Sequence, residues 1–157
     1  YLSLDYLKMG LYRGVPELGV VIDDDLKTAS QLRPIVEGMV RTFVENKEDY
    51  LIEGLYALPE YASALREELG HEVRSCFIGY AEIDTAEKIQ LMRKYVREED
   101  YDWMSEDDEE AARNVEYLKS FSTMIQDECA KYELKYFESR DYGETVKDVV
   151  RYLTEPS

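Results

Sequence analysis

The stretch Asp49-Tyr50-Leu51-Ile52-Glu53-Gly54-Leu55-Tyr56-Ala57-Leu58-Pro59 reads as a strand, a turn and the first residue of a helix. Its apolar centre is entered from the polar turn Glu45-Asn46-Lys47-Glu48 and left at Gly54. Pro59 suits a first helical position and Gly70 a helix exit, so a helix is expected over 59–69. A strand followed by a helix is half of a parallel βαβ unit, and the pattern recurs along the chain.

Working outward, Tyr1-Leu2-Ser3-Leu4-Asp5 predicts a strand that ends in an acid. A third strand is expected over 72–80 and a fourth over 134–138. Leu26 to Val44 is helical in period, and Pro34 predicts a short helix followed by a longer one. Asp84 with Glu87 forms a capping box for a helix running to about Tyr95, and Ser105 with Asp108 forms another. The second box opens a long helix with Ala112, Val115, Leu118, Phe121, Ser122, Ile125 and Cys129 on one face. Asp141 with Glu144 starts a last helix that turns Val146, Val149, Val150 and Leu153 inward. The expected fold class is α/β: a three-layer parallel sheet with helices on both faces, in a single domain over 1–157.

Composition narrows the function classes. The 157 residues are the length of one domain. Lys and Arg number 19 against 35 Asp and Glu, a formal net charge of −16. Such a surface repels nucleic acid and anionic membranes, so neither is an expected partner. No apolar run approaches the roughly 18 residues needed to span a bilayer. The first ten residues lack a basic start and an apolar stretch, so a cytoplasmic location is expected. Cys76 and Cys129 lie far apart and read as free buried thiols. The single histidine, His71, follows a helix-ending glycine and reads as a turn residue, which leaves no multi-histidine metal site.

In an open parallel sheet, ligands bind beyond the carboxyl ends of the strands. The candidates there are Asp5 and Lys8, Glu53 and Gly54, Tyr80 and Glu82, and Ser139 and Arg140. Asp5 and Glu53 end neighbouring strand segments; such a pair can steady a hydrated Mg²⁺ or accept a hydroxyl proton, and each also fits an ordinary strand-end turn. Arg93, Lys94 and Arg97 fit a phosphate site, or cations placed on a helix C-terminus. Gly14-Val15-Pro16-Glu17-Leu18-Gly19 has the G-x4-G skeleton, but Val20 and Val21 stand where a phosphate loop needs Lys and Ser or Thr, so it reads as a surface loop. The acid run Glu106 to Glu110 lacks the alternate ligands and turn glycine of a calcium loop and reads as a solvated helix start.

Several segments resemble P-loop small-molecule kinases. Ile52-Glu53-Gly54-Leu55-Tyr56-Ala57-Leu58-Pro59 is similar to the "IEG…LP" passage of the 2-phosphoglycerate kinase and uridine kinase groups. Leu4-Asp5-Tyr6-Leu7-Lys8 resembles the strand-end acid and following base of nucleoside monophosphate kinases. Tyr101-Asp102-Trp103-Met104-Ser105-Glu106-Asp107-Asp108-Glu109 and the later Glu128-Cys129-Ala130-Lys131-Tyr132 run resemble adenylate-kinase-like proteins. The resemblance implies an ATP-dependent, Mg²⁺-using phosphotransferase acting on a small hydroxyl- or phosphate-bearing metabolite or nucleotide. It implies that Asp5 serves the acceptor as base or orienter, and that Lys8, Arg13, Glu53 and Gly54 bind substrate. Glu53 would also steady Mg²⁺ through water. Arg93 and Arg97 would clamp the phosphoryl group from a lid over about 93–105, with Ser139 and Arg140 near the adenine. It further implies a first strand and a Walker loop ahead of Tyr1. Two alternatives stand beside it: a non-catalytic acidic protein-binding module, and a nucleotide hydrolase or sensor. A homodimer is among the open oligomeric states.

Overall fold

The computed structural model describes residues 1–95 and 107–155. These form two compact units, Tyr1–Arg74 and Ser75–Ser157.

In the first unit, strand β1 (Leu2–Ser3) leads directly into helix α1 (Leu4–Gly14), and a 3-10 turn follows at Pro16–Leu18. Helix α2 (Asp25–Asn46), strand β2 (Ile52–Glu53) and helix α3 (Pro59–Leu69) complete it, with a second 3-10 turn at Gly70–Glu72. β1 and β2 pair in parallel, Leu2 opposite Ile52 and Ser3 opposite Glu53. The core is Leu4, Ala29, Leu32, Val36, Tyr56, Leu58, Ala62 and Leu65, drawn from all three helices and the loop after β2. The Asp24 carboxylate accepts from Lys27 N at 3.0 Å and caps α2. The Gln31 side chain then pins the incoming loop, accepting from Val21 N and donating to Gly19 O, each at 2.9 Å. Pro34 lies inside α2, which is one continuous helix rather than the expected two. Across α2 and α3, Arg41 makes a two-pronged pair with Glu68, both bonds 2.8 Å.

In the second unit, strand β3 (Cys76–Gly79) pairs in parallel with strand β4 (Lys135–Glu138) along all four residues. Helices α4 (Thr85–Tyr95) and α5 (Asp108–Lys131) lie between them in sequence, and α6 (Tyr142–Thr154) follows β4. α5 buries Ala111, Val115, Ser122, Ile125 and Cys129, close to the expected face except that Ala111 replaces Ala112. The Asp107 carboxylate caps it, accepting from Glu109 N and Glu110 N, so the acid run is a helix start; Ser105 lies outside the described residues. Gly79 lets α5 close on β3, because a Cβ there would meet Ser122 at 3.0 Å and the Tyr136 hydroxyl. Helix α6 corrects the expected inward face: Val146 and Val150 are exposed and Thr145 is buried. Tyr152 reaches back, donating to Ser75 O at 3.2 Å and meeting Phe137 edge-on. Cys129 is buried and Cys76 half-buried, both free thiols.

The expected three-layer parallel sheet is not formed. Among the described residues four strands make two separate pairs, of two and of four residues per strand, and the described chain is mostly helical. The physical reason is plain at the first strand. Leu4, Leu7 and Leu11 recur at helical spacing, and helix hydrogen bonds close locally whereas a strand must find a neighbour. Leu4 and Asp5 therefore belong to α1, and β1 shrinks to two residues. In the same way 70–72 forms a 3-10 turn, and β3 starts only at Cys76.

Glycine positions give a stability test. Gly54 has φ +141°, and a Cβ there would stand 2.8 Å from the Leu4 Cβ. Gly54→Ala is expected to cost about 2–4 kcal/mol through backbone strain and overpacking. Gly38, inside α2, faces open space, so Gly38→Ala should stabilise by roughly 0.5–1 kcal/mol. Urea unfolding midpoints read both; an unchanged midpoint for Gly54→Ala would refute the Leu4 contact.

Candidate functional site

The first unit gathers three polar side chains where β1 passes into α1. Asp5 and Lys8 are one helical turn apart, so α1 sets them on the same face. Tyr56 comes from the loop after β2 and is 3% exposed, its ring part of the core. Gly54 permits that loop to cross tightly over Leu4 on its way to Tyr56. Lys8 Nζ donates to Asp5 Oδ1 at 3.1 Å and to the Tyr56 hydroxyl. The Tyr56 hydroxyl lies 3.5 Å from Asp5 Oδ1 and closes the triangle.

Electrostatics follow from this geometry. Burial, the largest single influence on Lys8, disfavours its charge, yet the hydrogen bonds to Tyr56 and Asp5 together outweigh it and raise the pKa. Burial raises the Tyr56 phenol, and the Lys8 cation only partly opposes that. At neutral pH the cluster thus holds a charged, largely buried amine, a neutral phenol and a carboxylate that is 56% exposed. It presents an open acid to solvent beside a cation fixed in place.

The other residues expected in this region are placed differently. Asp5 is not at a strand end but in the first turn of α1. Glu53 ends β2 as expected, but its Oε1 accepts from the Tyr1 hydroxyl at 2.8 Å, so the two carboxylates take different partners. That bond, and then burial, raises the Tyr1 phenol. Gly54 lies against Leu4 with no room for a Cβ. Arg13 is exposed in the last turn of α1, about 140° round the helix from Lys8. A direct Mg²⁺ site would need convergent oxygens, and no group of three acidic, histidine or cysteine ligands occurs among the described residues. The Tyr1 bond occupies one Glu53 carboxylate oxygen, Oε1.

The second unit places its own polar groups at the carboxyl ends of β3 and β4. Ser139 N donates to Gly79 O at 2.7 Å, extending the pairing. Arg140 pairs with Glu82 at 2.7 Å, both side chains exposed. Between them Glu138 accepts from Ala81 N and Glu82 N, each at 3.0 Å, and from the Tyr136 hydroxyl at 3.2 Å. Two successive backbone N–H groups cradle an anion in this way, and here the chain's own carboxylate fills the cradle. Arg93, at the end of α4, pairs with Asp108 at 2.8 Å. Arg97 and most of the expected lid over 93–105 lie outside the described residues.

Tyr56, Glu138 and Tyr136 were missed as site residues. Tyr56 sits inside the quoted 49–59 stretch, but nothing in its spacing points to Lys8, 48 residues away. In the sequence Glu138 marks only the end of a strand.

The Lys8 cluster has a pH signature. Lys8 and Tyr56 both hold their protons more tightly when folded, from ordinary values of 10.5 and 10.0. Their contribution is therefore complete below about pH 10 and is lost as pH rises through the folded values. Melting temperatures of wild type and of Tyr56→Phe, compared from pH 8 to pH 11, should converge at the alkaline end. A constant difference across that range would contradict the linkage.

Comparison of the chain with family models, with curated proteins and with solved structures finds no match.

Proposed function

We propose that the protein is an ATP-dependent phosphotransferase acting on a small hydroxyl- or phosphate-bearing metabolite or nucleotide. The observation that carries this reading is the Asp5–Lys8–Tyr56 triangle. An exposed carboxylate beside a fixed cation suits a hydroxyl on an anionic molecule: Asp5 takes the proton of the attacking hydroxyl, and Lys8 neutralises the acceptor's anion. Tyr56 holds Lys8 at the right height and shields it from bulk water on the core side. Mg²⁺·ATP, when bound, would supply the phosphoryl group, and Glu53 would be the residue that holds the hydrated metal through water. Phosphoryl transfer asks for positioning and charge neutralisation more than for covalent chemistry, and these side chains are of that kind. The reading rests on this cluster and on the similarity of the 4–8 and 52–59 segments to small-molecule kinases, not on the sheet expected from them. It places the protein in the cytoplasm, where ATP is available, with neither nucleic acid nor an anionic membrane as partner, since the charge of −16 opposes both.

A second reading has its own observation. Tyr1, Tyr6, Tyr50, Leu51 and Leu55 are all exposed in the first unit of this acidic protein. Exposed aromatics set among acids also suit a non-catalytic module that binds a basic protein.

The deciding experiment follows transfer of label from γ-³²P ATP with Mg²⁺ to a panel of hydroxyl-bearing metabolites and nucleoside monophosphates. A labelled acceptor is expected, with turnover lowered about 10²–10⁴-fold by Asp5→Asn while the circular dichroism is unchanged. ATP loss with no labelled acceptor would replace the proposal by a hydrolase or sensor. No transfer, no thermal shift with millimolar Mg²⁺·ATP and capture of a stoichiometric basic partner would replace it by the binding module.

A further inference from the structure

We infer that the outer edge of β3 is a self-association surface, where two copies of the chain pair their β3 strands antiparallel about a two-fold axis at Phe77. The inference is independent of the Lys8 cluster and of phosphotransfer.

The edge follows from the hydrogen bonding inside the second unit. Ser139 N donates to Gly79 O, and β3 pairs with β4 from Cys76 to Gly79. Main-chain groups alternate sides along a strand, so Phe77 and Gly79 turn theirs toward β4. Cys76 and Ile78 turn theirs the other way, and among the described residues neither has a backbone partner on that side. The Ile78 side chain is 56% exposed, and Cys76 and Phe77 are only half-buried. Sheet edges are commonly blunted by charge or proline. β4 follows that rule, with Lys135 at its start and Glu138 at its end. β3 reads Cys-Phe-Ile-Gly and has neither. A sheet of two strands is marginal by itself and gains from a further strand.

A second copy is the occupant that fits. From Ser75 to Ala81 the chain carries no charged side chain, in a protein with 35 acids and 19 bases. The acids that would draw a basic partner are absent from this edge, whereas a copy brings the same uncharged, apolar segment. The register also closes on itself. With the axis at Phe77, Cys76 lies opposite Ile78 of the second copy, and each such pair exchanges both of its N–H···O=C bonds. Phe77 then meets its own counterpart as the close, non-hydrogen-bonded pair, an aromatic contact of the kind that stabilises cross-strand pairing. Moving the axis to Ile78 would set Phe77 against Gly79 and lose that contact.

The interface is small, in the weak class below ~1,200 Å². The net charge of −16 on each copy also opposes contact. The dimer is therefore weak, with a Kd on the order of 10–100 µM, and salt strengthens it by screening the repulsion.

Sedimentation equilibrium of the whole protein, from about 5 to about 500 µM and in roughly 0.05 M and roughly 0.5 M NaCl, tests this. A monomer–dimer equilibrium is expected, its Kd falling severalfold at the higher salt. Ile78→Lys charges the edge at a side chain that already faces solvent, and should weaken the dimer at least about tenfold. Val150→Lys, at a similarly exposed position on α6, should leave the Kd unchanged. Phe77→Cys, treated with oxidised glutathione, should cross-link two copies through the introduced thiols. The inference is overturned by a monomer at every concentration, by a dimer that Ile78→Lys leaves intact or that Val150→Lys weakens equally, by association that weakens as salt rises, or by a folded Phe77→Cys that does not cross-link. The wild type and Ile78→Lys decide the matter even should Phe77→Cys fail to fold.

Discussion

Parallel strands of two and four residues cannot hold a fold together, and that constraint governs everything else here. Each pair satisfies only a handful of backbone groups, and a parallel ladder is weaker per residue than an antiparallel one. Burial must come from helices laid against each pair. In the first unit α1, α2 and α3 converge on Leu4, Leu32 and Leu65 around the β1–β2 contact. In the second α5 lays Val115, Ser122, Ile125 and Cys129 inward, with Gly79 small enough to let it approach β3. Gly54 and Gly79 are thus the places where the missing side chain matters most, one for backbone conformation and one for space.

The same economy explains the polar groups. Short strands leave loop N–H groups uncovered at their carboxyl ends, and the chain covers them with its own side chains. Glu138 fills the cradle of Ala81 N and Glu82 N, and Gln31 does similar service for the loop before α2. Lys8 is tied between Asp5 and Tyr56 because its side chain is largely buried and its charge cannot be left bare there. Lys88 contrasts with it. It is half-buried and lies over the face of the Tyr80 ring.

Surface ion pairs add little to this picture. Arg140–Glu82, Lys147–Glu144 and Arg151–Asp148 are exposed on both sides, where such pairs contribute about 0–1 kcal/mol. They do take up a share of the scarce cations. With 19 basic residues against 35 acidic ones, nearly every paired Arg or Lys leaves a further acid facing water. The unpaired acids are what give the surface its sign, and with it the expected aversion to polyanions.

Much of the local structure was legible in the residues alone. Pro59 and Gly70 bracket α3, Asp84 caps α4, Asp141 caps α6, and the three- and four-residue steps of α5 mark its inner face. These signals act within one or two turns, so no distant partner is needed to read them. The pairing partners of the strands, and how few residues each strand has, depended on tertiary contacts. Leu4 and Asp5 fit a strand or a helix by composition, and the helical spacing of Leu4, Leu7 and Leu11 with locally closed hydrogen bonds selects the helix, while Leu4 becomes fully buried only through tertiary packing. Tertiary structure likewise placed Tyr56 beside Lys8 and turned Val146 and Val150 outward, because burial depends on what lies across from a side chain and not on its neighbours in sequence. The sequence by itself determined where helices start and stop and the sign of the surface; only tertiary structure decided which side chains share a site, since that needs contacts across dozens of residues.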